Sequence, residues 1–154
     1  MDRAGYCFGT ALGAAVFDNS DCIGKNVSLS EEDQLWVSSI RRREKIMQCR
    51  VNTARPLLDL PDADIRRRLT DLPMRDEFES ACIGWLQDDL SLHAGAGGDT
   101  PIVGVISRGD SVSFRHDERH GWNYVTVSGK DWTYKSAGWT NAPFNTQDCE
   151  QFAG

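Results

Sequence analysis

Ile102-Val103-Gly104-Val105-Ile106, Ser111-Val112-Ser113-Phe114 and Tyr124-Val125-Thr126-Val127 are the three runs on which the reading of this chain turns. The first is a β-branched run, and the other two alternate at period two. That is the pattern of strands with one face buried. Turn signals lie between them: Gly95 to Asp99, Arg108-Gly109-Asp110 and Ser128-Gly129-Lys130. Short strands at regular spacing with glycine turns predict a small barrel or sandwich.

The pattern before residue 90 is helical. Gly5 to Phe17 is rich in Ala and Gly, and Asp18 to Val27 reads as a loop. Ser28-Leu29-Ser30-Glu31 has capping-box spacing. Glu31, Glu32 and Asp33 follow where a helix dipole favours acids. Trp36, Ile40, Met47 and Val51 recur at helical spacing and predict a helix that ends before Pro56. A third helix is expected from Pro61, with Ile65, Leu69 and Leu72 on its buried face. A fourth is expected over about Met74 to Asp88, with Phe78, Cys82 and Trp85 on one stripe. Four amphipathic helices predict a small bundle. The expected fold is therefore α+β. A helical domain over residues 1–89 precedes an SH3-like β-barrel domain over 90–154 with a C-terminal extension.

The β region resembles the bacterial SH3 (SH3b) domain family. Leu90-Ser91-Leu92-His93-Ala94-Gly95-Ala96 looks like its opening strand and loop, and Pro101 to Ile106 like its second strand. Arg108-Gly109-Asp110-Ser111-Val112 is similar to its diverging turn. His120-Gly121-Trp122-Asn123-Tyr124-Val125 and Gly138-Trp139-Thr140 resemble its two Gly-Trp strands. Ala96 stands where the family has proline, Thr140 where it has an apolar residue, and Asp131 to Ala137 lengthens the last hairpin. The resemblance implies binding of cell-wall peptides or protein partners by an exported protein. The Tyr6-Cys7-x-Gly-Thr opening and the scattered cysteines loosely resemble small periplasmic helical proteins, including some immunity proteins of toxin systems.

Composition narrows the class. The chain has 154 residues, is 40% hydrophobic and carries a net charge of -6. Residues 1–89 hold 12 basic and 16 acidic side chains, and residues 90–154 hold 5 and 7. Neither part offers the concentrated basic face that nucleic acid requires. No apolar run approaches the length of a membrane span. Gly9 to Phe17 resembles a short signal-peptide core, but no positive segment precedes it, so Met1 is read as an added start on a trimmed chain. Cys7, Cys22, Cys49, Cys82 and Cys149 show no C-x-x-C spacing, which argues against structural zinc. Two disulfides and a spare thiol in an oxidising compartment, periplasmic or secreted, are expected, with the pairing open. The alternative is reduced cysteines acting as small buried hydrophobes.

The candidate binding residues are Trp132, Tyr134, Tyr124, Trp122 and Trp139, because aromatic rings supply rigid contact area with a polar handle. A barrel core would claim Trp122 and Trp139, so the contact role falls first on Trp132 and Tyr134. His116 and His120 have the spacing of a helical metal pair, but the segment His116 to His120 precedes a strand and reads as a solvated turn. No metal or cofactor is expected. No cysteine has a local nucleophile signature, and Glu77, Glu79, Asp88 and Asp89 read as solvated surface. The basic triplets Arg41–Arg43 and Arg66–Arg68 read as exposed helix faces. Three functions remain. The favoured one is an exported non-catalytic binding protein that recognises a cell-wall component, such as peptidoglycan, or a protein partner. An immunity protein that neutralises a toxin enzyme comes second, and a cell-wall hydrolase with a targeting domain third.

Overall fold

The computed structural model describes residues 1–17, 19–57, 60 and 62–154, apart from the side chain of Arg3. Asp18, the expected start of the first loop, and Pro61, the expected start of the third helix, lie outside the described residues. The chain forms two compact units, Met1–Leu60 and Pro61–Gly154.

The first unit holds two α-helices, α1 (Ala11–Val16) and α2 (Glu31–Ile46). Thr10 caps α1, its hydroxyl accepting from the Gly13 N–H at 3.0 Å. A disulfide joins Cys7 to Cys22. Beside it, Tyr6 bridges Gly24 in parallel. The cap of α2 is Ser30, whose hydroxyl accepts from the Asp33 N–H at 3.1 Å. Capping therefore begins two residues after the expected Ser28, and Asp33 takes the part assigned to Glu31. No residue of α2 is buried, and Leu35 is 73% exposed. The helix ends at Ile46, and Gln48 just beyond it has φ 52°.

The second unit is mostly sheet. A single-turn helix, α3 (Ala63–Arg66), precedes seven strands: β1 (Arg75–Trp85), β2 (Leu90–His93), β3 (Ile102–Ile106), β4 (Ser111–His116), β5 (Asn123–Ser128), β6 (Tyr134–Thr140) and β7 (Cys149–Ala153). Their order is β3-β2-β6-β5-β4-β1-β7, and every pairing is antiparallel.

Two expectations are corrected here. The fourth helix, expected over Met74 to Asp88, is strand β1. Phe78 is 80% exposed and Cys82 fully buried, because the pairing with β4 shifts register between Arg75 and Ser80. Ladder bonds to β4 on one side and β7 on the other satisfy this backbone. Pairing with a strand on each side outweighs a weak helical stripe. With that segment extended and α3 reduced to one turn, there is no four-helix bundle. Second, the sheet is open rather than a closed barrel. β1 and β7 extend it beyond the five expected elements, and β2 meets β6 at one pair, His93 and Trp139. The mixed α+β class stands.

Apolar side chains cluster on both faces of the sheet. Val125 and Val127 of β5 point into one core with Leu92, Ile106, Val112, Trp85, Cys82 and Cys149. Tyr124, on the opposite face, packs with Ala137, Trp139, Ile65 and Leu69. The period-two alternation of Tyr124-Val125-Thr126-Val127 puts its side chains on these two sides in turn.

Close strand crossing needs glycine. A Cβ on Gly138 would lie 2.8 Å from the Leu92 Cβ and 3.0 Å from the His93 carbonyl oxygen. Gly138→Ala is therefore expected to cost about 1–3 kcal/mol of stability through overpacking. Thermal unfolding of the variant measures this, and an unchanged midpoint would contradict the close packing.

Candidate functional site

The β5–β6 hairpin carries the exposed aromatic group. Its tip folds back through bonds from the Gly129 N–H to the Thr133 carbonyl and from the Trp132 N–H to the Gly129 carbonyl, each 2.9 Å. The Asp131 carboxylate accepts from the Thr133 N–H at 3.1 Å and from its hydroxyl at 2.7 Å. Those bonds, the hydroxyl's first, hold the Asp131 carboxyl below its ordinary value. Trp132 has φ 63° and is 62% exposed. A non-glycine residue in that region costs on the order of 1 kcal/mol.

The β3–β4 turn adjoins this tip. The buried Asp110 accepts from the Ser107 N–H at 2.9 Å, and Lys135 of β6 donates to both its carboxylate oxygens, at 2.7 and 2.8 Å. The Lys130 side chain passes over Gly109, whose φ is 89°. Arg108 and Lys130, at the same end of the sheet, are exposed. Neither forms an ion pair among the described residues.

The other candidate aromatics sit differently. Trp139 is fully buried, and its indole Nε1 donates to the Asp71 carbonyl at 2.7 Å. Tyr124 is buried, and its hydroxyl donates to Asp62 Oδ2 at 2.9 Å. Neither has a face to offer a ligand. Trp122 is half-buried with its ring edge-on to His93. Tyr134 is half-buried, and its hydroxyl oxygen has no hydrogen-bond partner among the described residues. Burial and the nearby Asp62 push the Tyr134 phenol up to about 12.

Beneath α3 lies a charged network that the sequence reading missed. Arg66 pairs with Asp62 at 2.8 Å, and its guanidinium lies 5.6 Å from the Tyr124 ring centroid. Burial, then the Asp62 charge, raises the Tyr124 phenol far above its usual value. The His116 ring meets Tyr124 edge-on, with 4.9 Å between centroids. His116 is thus the end of β4, packed against the sheet, and not part of the solvated turn expected over His116 to His120. Nearby, Arg119 pairs with Asp71 at 3.0 Å, both side chains largely buried. Arg66, expected on an exposed face, is drawn into this network. Among the described residues no group of three or more His, Cys, Asp or Glu could hold a metal ion.

Family comparison divides the chain much as the fold does. Residues 1–45 match the model described as "YARHG domain". Residues 48–154, more than half the chain, match "Domain of unknown function (DUF4453)". The chain belongs to the DUF4453 family. No curated protein and no solved structure matches it significantly.

The SH3b resemblance is overturned by this result. Residues 90–144 lie inside the DUF4453 match, and neither matched model is an SH3b family. The order of apolar runs and glycine turns that carried the resemblance is common to many small antiparallel sheets. In the DUF4453 region Cys82 joins Cys149, and Cys49 is an exposed free thiol. The disulfides, together with a domain type that is typically extracellular, mark a secreted protein. No helix among the described residues is long and apolar enough to cross a membrane.

Proposed function

We propose that this secreted protein is a non-catalytic binding protein that engages a protein or peptide partner through the tip of the β5–β6 hairpin. The observation that carries the reading is Trp132. It is 62% exposed, yet it is held in a left-handed conformation on a hairpin braced from both sides. Strain kept at an exposed aromatic residue is characteristic of contact sites. A rigid indole binds with little loss of conformational freedom. The unpaired Arg108 and Lys130 favour a partner that presents carboxylates, so binding should weaken with salt. The expectation of a cell-wall target came with the SH3b resemblance and loses its basis with it. A periplasmic location is compatible with the two disulfides, as is release from the cell.

Trp132→Gly tests the reading cleanly. Glycine relieves the left-handed conformation while removing the indole. Partners captured by the wild-type chain from the native extracellular fraction would be identified, then titrated against both chains. The variant is expected to bind about 30-fold more weakly, the loss of about 2 kcal/mol typical of a buried tryptophan anchor. Its unfolding midpoint should not fall. Equal affinity of the two chains would sink the hairpin assignment, and turnover of a captured molecule would sink the non-catalytic one.

A further inference from the structure

We propose that the segment Asp62–Leu72 is an acid-released latch on one face of the sheet, with His116 as its trigger. The inference goes beyond the hairpin reading and rests on different residues.

The latch is held by hydrogen bonds and a buried ion pair. In the pair, Arg119 donates to Asp71 Oδ1 at 3.0 Å. Arg68 donates to the Val103 carbonyl at 3.4 Å. Tyr124 donates to Asp62 at 2.9 Å, and Trp139 donates to the Asp71 carbonyl at 2.7 Å. The Thr70 and Asp71 N–H groups donate to the Ala94 carbonyl at 2.8 and 3.3 Å. The Ala96 N–H donates to Asp71 Oδ2 at 3.0 Å. Apolar anchoring comes chiefly from Ile65 and Leu69, with Leu72 partly buried beside them. A segment outside the strand ladders can open locally without unfolding the core.

His116 lies under this latch. Its Nδ1 is buried and has no hydrogen-bond partner among the described residues. The groups facing the ring are Asp62 and Arg66 of the latch, Arg75 of β1 and Tyr124 of β5. The Asp62 carboxylate among them already accepts from Arg66 and Tyr124. Protonated His116 would add a cation beside the Arg66 guanidinium.

The sign follows from linkage. With the latch closed, burial first, then Arg66, lowers His116 from 6.5 to about 4. With the latch open, the ring is solvated and returns to its ordinary range. The open form therefore binds the proton more readily, and opening is favoured as pH falls from about 6.5 towards 4. The limiting slope is about tenfold per pH unit, reduced because the ring is partly solvent-screened. Opening uncovers Tyr124 and Trp139.

Hydrogen exchange on the full chain, expressed as protection factors so that intrinsic pH dependence cancels, tests the latch. Between pH 7 and pH 5 the Thr70 and Asp71 amides and the Trp139 indole are expected to lose about tenfold in protection. The Val125 and Val127 amides in β5 should change little. In His116→Gln the loss should vanish. Should that variant not fold, Tyr124→Phe keeps His116 but lacks the bond to Asp62. It should open more at both pH values and keep the pH-dependent loss. Flat protection in the wild type would overturn the proposal. So would an equal loss in β5, which means global acid unfolding. A loss that persists in His116→Gln would place the proton on a carboxylate and overturn it too.

Discussion

Guanidinium unfolding of a chain carrying both Cys82→Ala and Cys149→Ala is expected to show the second unit destabilised by about 4 kcal/mol. The two cysteines lie 67 positions apart, and their bond closes most of the second unit into one loop. In the chain-entropy account, a crosslink of that span removes about 4 kcal/mol of unfolded-state freedom. Whatever the division between entropy and enthalpy, the location adds to the cost. Both cysteines sit in the core with Trp85, Leu92 and Val127. They are not ladder partners, for Cys82 pairs with Phe152 and Cys149 with Trp85. The strand bends between them at Gly84, whose φ is 68°. The disulfide thus pins the bend as well as the edge strand β7. Near-ultraviolet circular dichroism follows the transition. The paired alanine change, rather than a reductant, leaves Cys7–Cys22 intact and isolates the effect. A midpoint shift worth less than about 1 kcal/mol would show that β7 holds its place without the covalent bond.

How much of this was legible beforehand depended on local redundancy. β3, β4 and β5 each combine period-two alternation or a β-branched run with a flanking glycine turn, so several local signals agree. β1 has no such agreement. Its Phe78, Cys82 and Trp85 keep helical spacing, and its strand state is imposed by β4 and β7, one of them more than sixty residues away. β7 is short and carries mainly exposed side chains, so its order comes from the ladder with β1 and from Cys149. The disulfide pairing was open for the same reason. It depends on a contact between distant strands, one of which carries helical spacing in its sequence. The exposure of Trp132 was the easier part, because the long hairpin holds more aromatic residues than its interior needs. The network of Asp62, Arg66, His116 and Tyr124 had no sequence signal. Its members come from three elements, and the charges of Arg66 and Asp62 looked like ordinary solvated side chains.

Trp139→Ala is expected to cost about 3–5 kcal/mol for the lost packing alone. The side chain is fully buried between Tyr124, 5.6 Å away between ring centroids, and the residues that follow α3. A further cost comes from the Asp71 carbonyl, which would lose its indole donor inside the fold. A buried acceptor left without a partner costs about 1–3 kcal/mol. A unit of this size has roughly 5–15 kcal/mol in total, so the alanine variant should sit at the edge of folding. Trp139→Phe separates the two contributions, since it keeps most of the ring packing and loses the same hydrogen bond. If the carbonyl matters as described, the phenylalanine variant should still lose about 2 kcal/mol. Its Thr70 and Asp71 amides should exchange faster than those of β5, because the missing bond tethers their segment. If Trp139→Phe instead proved as stable as the wild type, the indole would be acting by volume alone. The segment after α3 would then have to be held by its remaining bonds to Ala94, Ala96 and Arg119.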